Sequence, residues 1–120
     1  MNMLRASLMI LLMMAMTPQW SEATDLPQTK WVGDLPITPE LKVEPGLGFA
    51  FESPTGRIVM IYLSGSIKDD EIRAYYDQAL PPLGWQAAGA MAWAREGERL
   101  KIVKVETATG ELWKIMLQPE

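Results

Sequence analysis

The side chains best suited to proton transfer here are carboxylates, because the chain has fifteen Asp and Glu, no His and no Cys. Without His or Cys, every triad or dyad built on them is excluded, and so are the usual zinc and copper ligand sets. A pair of acids facing across a cleft would suffice for glycoside hydrolysis. The densest acidic group, Asp69-Asp70-Glu71, reads more simply as a helix start, where the macrodipole favours negative charge. As a calcium site it lacks the alternating acid spacing and the glycine of a ligand loop. Ser64 and Ser66 precede Lys68 by four and two residues, the wrong spacing for a Ser/Lys dyad. Gly46-Leu47-Gly48 follows a proline and precedes a strand, which is not the setting of a phosphate-binding loop. No catalytic residue, metal ligand or cofactor site is expected.

Aromatic side chains are the remaining candidates. Trp31, Tyr76, Trp85 and Trp93 could form a ligand or partner surface, since Trp and Tyr dominate binding hot spots. The competing reading places Tyr75, Tyr76, Trp85 and Trp113 in the core, beside the apolar stripe of a helix or on the apolar face of a strand.

The elements that must position these residues can be read along the chain. Residues 24–47 carry prolines at 27, 36, 39 and 45 and read as an extended arm, because proline removes a donor and biases its neighbour to extended geometry. Gly48–Glu52 and Arg57–Ser64 read as strands around a Ser53-Pro54-Thr55-Gly56 turn. The second is apolar on both faces and is expected to be central. A helix follows, with Ser66 as cap and an apolar stripe at Ile72, Tyr75, Tyr76, Ala79, Leu80 and Leu83. Pro81 and Pro82 should tighten its last turn, and Gly84 should take the left-handed position beyond it. Three strands complete the chain: Trp85–Arg95, Arg99–Thr107 with a bulge near residues 102–103, and Glu111–Gln118. The order β-β-α-β-β-β predicts a two-layer α+β domain over 48–120, an antiparallel sheet of about five strands with one helix on one face.

The first 23 residues read as a secretory signal peptide. Arg5 supplies the positive start, Ala6–Met16 an uncharged run, Pro18 a break, and Ser21-Glu22-Ala23 a cleavage site. The alternative, an uncleaved anchor, is poorly served by eleven apolar residues where a span needs roughly 20. Removing 23 of 120 residues leaves enough chain for one core and too little for two. The absence of Cys excludes disulfides and a lipoprotein-type lipid anchor, so the expected location is the bacterial periplasm or the exterior. A net charge of −4 argues against nucleic-acid or polybasic membrane binding.

Tyr76-x-x-x-Leu80-Pro81-x-Leu83-Gly84-Trp85, followed by Arg95-Glu96-Gly97-Glu98-Arg99-Leu100-x-Ile102, resembles small signal-peptide-bearing envelope proteins of proteobacteria of unknown function. Asp34-Leu35-Pro36 ahead of Pro54-x-Gly56-Arg57-Ile58-Val59 shares that likeness, which covers most of the chain after the leader. The resemblance implies export and brings no catalytic residues. The expected function is a non-enzymatic module binding another envelope protein or an envelope component through a sheet face or edge. A small-ligand binder, with a cavity between helix and sheet lined by Tyr76, Trp85 and Trp93, is the second reading. A carboxylate-based hydrolase is the third.

Overall fold

A computed structural model describes residues 26–120; the expected leader, 1–23, lies outside the described residues. The described chain is α+β. Seven antiparallel strands form one sheet: β1 (Leu41–Val43), β2 (Phe49–Ser53), β3 (Gly56–Gly65), β4 (Gln86–Ala87), β5 (Ala92–Arg95), β6 (Glu98–Thr107) and β7 (Gly110–Pro119). The two helices are α1 (Pro27–Trp31) and α2 (Asp69–Ala79), the latter followed by a 3₁₀ turn over Pro81–Leu83. The spatial order is β1-β3-β7-β6-β5-β4, and β2 shares the edge of β3 with β1. β1 pairs with the Leu63–Gly65 end of β3 and β2 with the Gly56–Met60 end.

The count therefore differs from the expected five strands and one helix, for two local reasons. The expected Trp85–Arg95 strand is a hairpin, because the backbone turns at Met91 (φ +50°) and Ala88 N–H reaches back to the Ala92 carbonyl at 2.9 Å. The Pro-punctuated segment is also not extended throughout. Pro27 occupies the first turn of α1, where its missing N–H costs nothing. Val32, Leu35 and Leu41 are then buried in the core.

The long strands form where β-branched and large apolar residues recur at alternate positions, and in β3 the intervening positions Ile58, Met60 and Tyr62 are apolar too. Val59, Ile61 and Leu63 of β3, Leu100 and Ile102 of β6, and Trp113, Ile115 and Leu117 of β7 all face one side and are buried. Each contributes about 1.5–3 kcal/mol by leaving water. Ile72, Tyr76 and Leu80 of α2 pack onto this side, joined by Val32 and Leu35. The β6–β7 register is continuous from Glu98↔Pro119 to Thr107↔Gly110, so the expected bulge at 102–103 is absent. Val103 is instead an outward residue in regular alternation.

The start of α2 is two residues later than Ser66. Lys68 is the cap residue, and its backbone N–H donates to Glu71 Oε1 at 3.4 Å; a lysine ammonium has no acceptor to return the bond. The end follows the expected form. Trp85 N–H donates to the Leu80 carbonyl at 3.2 Å and Gly84 N–H to Pro81 at 2.9 Å, a Schellman pair with Gly84 left-handed at φ +96°.

Candidate functional site

Tyr76, Trp85 and Trp93 are core side chains. Tyr76 is fully buried, with its ring centroid 6.4 Å from that of Trp93, and its hydroxyl donates to the Pro36 carbonyl at 2.8 Å. Trp85 lies under the Arg95 guanidinium, 4.3 Å from the ring centroid, and its indole N–H is buried without a partner. All three belong to the buried core beneath the helix, where the second reading put a cavity lining. Trp31 stands apart from them, half-buried on α1, with its carbonyl accepting from Arg57 Nη1 at 2.9 Å. The four aromatic candidates therefore do not form a shared surface.

No carboxylate among the described residues is buried. Glu98 is half-buried and held by Arg57 at 2.8 Å; Glu44 is half-buried and accepts from the Ser64 hydroxyl. An open hollow of about 650 Å³ has Asp34, Glu96 and Glu120 on its walls with Arg95. Arg95 is committed there: Nη1 donates to Asp34 at 3.0 Å and to the Leu83 carbonyl at 2.9 Å. Its hydrogen bonds hold the Asp34 carboxyl below the usual range. A general acid needs the opposite shift, from a desolvated environment.

The surface that stands out is the other face of the sheet. On β2, β3, β6 and β7 every outward side chain is exposed or half-buried, whereas the alternate residues on the inner face of β3, β6 and β7 are mostly buried. α2 and the α1 segment both pack on the inner side, and no described element covers the outer one. The outward residues are nonetheless largely apolar. Phe49 opposes Met60, and Phe51 opposes Ile58. Across β3, β7 and β6 the rows then run Met60–Met116–Lys101, Tyr62–Lys114–Val103 and Ser64–Leu112–Val105. Phe51 is 51% exposed, Phe49 42% and Val103 38%; the two Phe rings stack 5.7 Å apart. The Tyr62 hydroxyl lies back on the Met60 sulfur at 3.3 Å. These rows of exposed apolar side chains make the outer face the candidate site.

A sheet edge is a poorer candidate than this face. The chain's own β1 and β2 occupy the edge of β3, and the opposite edge strand, β4, has only two residues. Among the described residues no helix is long and apolar enough to cross a membrane. No family model, curated protein or solved structure matches the chain.

The sequence reading looked for Trp and Tyr and passed over Phe49, Phe51, Ile58, Met60, Tyr62, Val103, Leu112 and Met116. A signal was present in Arg57–Ser64, apolar on both faces beside a single helix. One helix layer covers one side of a sheet, so the second apolar side had to stay open.

Proposed function

We propose that this is an exported, non-enzymatic module that binds another component of the bacterial envelope through the outer sheet face of β2, β3, β7 and β6. The observation that carries the reading is the row structure of that face: Phe49–Met60–Met116 beside Phe51–Ile58 and Leu112–Val105, with no described element over it. Leaving such side chains in water forgoes about 25 cal/mol for each Å² of apolar area that could be covered. A partner laid on the face recovers it. The Pro-punctuated segment supports the same reading, because it adds to its own sheet edge and inner face and leaves the outer face as the open surface.

The test is retention of the protein by the envelope fraction of an exporting bacterium. Phe51→Asp with Val103→Asp places two charges on the face at exposed positions and should release the protein. Asp77→Lys, on the exposed side of α2, should not. Equal retention of all three proteins would overturn the reading.

A further inference from the structure

We infer that the occupant of the open face is an anionic bilayer surface, an assignment that rests on the binding-face reading above. Folding sorts the charges of this acidic chain. By register, Lys42, Arg99, Lys101 and Lys114 all stand on the outer face. The one acid beside them is Glu44, whose carboxylate takes the Ser64 hydroxyl bond. Whole-chain charge is −4, so the acids lie predominantly elsewhere: at the start of α2, in the hairpin turns and along the inner side. Among the described residues Arg57, Arg95 and Lys104 make ion pairs, and none of the four outer cations does.

The spread of these cations selects among partners. Lys42 is on β1 and Arg99 and Lys101 on β6, three strand spacings away across β3 and β7. At about 4.8 Å per strand that is roughly 14 Å. Along the strands, Lys42 and Arg99 are six residues out of line, roughly 20 Å. The cations run in a diagonal line that one helix can follow. Phe49 and Phe51, though, stand three strand spacings from β6, level with Lys101 and Arg99, and a helix about 10 Å across on that line leaves them uncovered. A plane of phosphates meets the cations and leaves these rings against the same surface. Beside the cations stand Phe49, Phe51, Met60, Met116 and Val103, placed to enter the boundary between headgroups and acyl chains. Lys101 and Lys114 flank Met116 and Val103, where their methylene stems can lie along apolar surface with the ammonium groups turned outward. The acidic start of α2 is on the opposite layer, and physiological salt screens charges beyond about 8 Å. Local charge therefore outweighs net charge at contact, and the cluster arises from strands far apart in sequence.

The probe is vesicle sedimentation with equal parts phosphatidylglycerol and phosphatidylethanolamine, against phosphatidylcholine alone, using the protein as recovered from the exporting cell. Wild type should sediment with the anionic vesicles, weakly with the neutral ones, and be released by about 1 M salt. Each cation near such a surface is worth a factor of about five in partitioning. Lys101→Gln with Lys114→Gln should thus lower binding by about 25-fold, and Lys101→Glu with Lys114→Glu by a larger factor. Phe51→Ser should weaken binding to the anionic vesicles at every salt concentration at which wild type binds, and Arg73→Glu on α2 should leave it unchanged. Circular dichroism melts confirm folding of each variant. Absence of wild-type binding to anionic vesicles, or equal binding by the paired Lys variants, overturns the lipid assignment. If the envelope-retention experiment still separates face variants from Asp77→Lys, the face stands and its occupant is a protein. If it does not, both readings fall.

Discussion

The Tyr76 hydroxyl stands 2.8 Å from the Pro36 carbonyl and 3.4 Å from the Thr38 amide nitrogen, donating to the first and accepting from the second. One buried phenol thus ties α2 to a segment about forty residues away and closes the inner layer of the core. Tyr76→Phe keeps the ring and leaves both backbone groups unpaired, which should cost about 1–3 kcal/mol in urea unfolding. Burial pushes the Tyr76 phenol well above its ordinary value of 10.0, with the Thr38 bond acting weakly the other way. Above about pH 10 the unfolded chain gives up this proton while the native state keeps it. Native stability should therefore fall by about 1.4 kcal/mol per pH unit from this group alone. Unfolding curves between pH 9 and about 11 should show a shallower decline in Tyr76→Phe than in wild type.

That bond also shows where sequence reading stops. The α2 stripe, the Gly84 stop and the hairpin turns at Pro54-Thr55-Gly56 and Ala108-Thr109-Gly110 are set by neighbours within a few residues, so they were legible. Burial of Val32, Leu35 and Leu41 was not. Their spacing follows neither a helical nor an alternating period, and the prolines between them mask any amphipathic pattern. The open face was half legible. Two-sided apolarity was visible in Arg57–Ser64, but Lys42, Arg99, Lys101 and Lys114 come from three strands and meet only through register.

Gln28 plays a similar tying role at the edge of that face. It is buried, and its amide nitrogen donates toward the carbonyls of Glu44, Pro45 and Leu47 at 3.3, 2.9 and 3.2 Å. This holds the loop leading into β2. Gln28→Ala should cost about 1–3 kcal/mol. Gln28→Glu should be worse at neutral pH, because a carboxylate would face three carbonyl oxygens without a donor. Its deficit should shrink as pH falls, since burial favours the protonated form. Equal stability of the two variants across pH 4–8 would show that the three carbonyls do not depend on this amide.

Arg95 joins three parts of the chain: Asp34, the Leu83 carbonyl and the Trp85 ring. A lysine there can supply one charge but no planar fork to reach both oxygens while stacking on indole. Arg95→Lys should therefore destabilise by about 1–3 kcal/mol despite keeping its charge. Asp34 adds a signature in acid. Its stabilising bond is present above the ordinary carboxylate pKa and lost as pH falls through the lowered one. The gap between wild type and Arg95→Lys should narrow below about pH 3, with the Leu83 and Trp85 contributions remaining.

Gly48 sets the position of Phe49 and hence of the whole β2 margin. Its φ is +95°, and a Cβ there would clash with the Met60 carbonyl oxygen. That oxygen is backbone in the central strand β3 and cannot rotate away. Gly48→Ala must either strain the turn, at about 1–3 kcal/mol, or push the start of β2 off β3. Gly46, two residues earlier, has nothing within 4 Å of its Cβ direction, so Gly46→Ala is the matched control. Amide exchange of Phe49 to Ser53 should accelerate in Gly48→Ala and stay unchanged in Gly46→Ala. The same variant should lose binding through the outer face, because Phe49 and Phe51 would no longer be held beside Met60 and Ile58. Retained binding with accelerated exchange would place the contact on β6 and β7 alone.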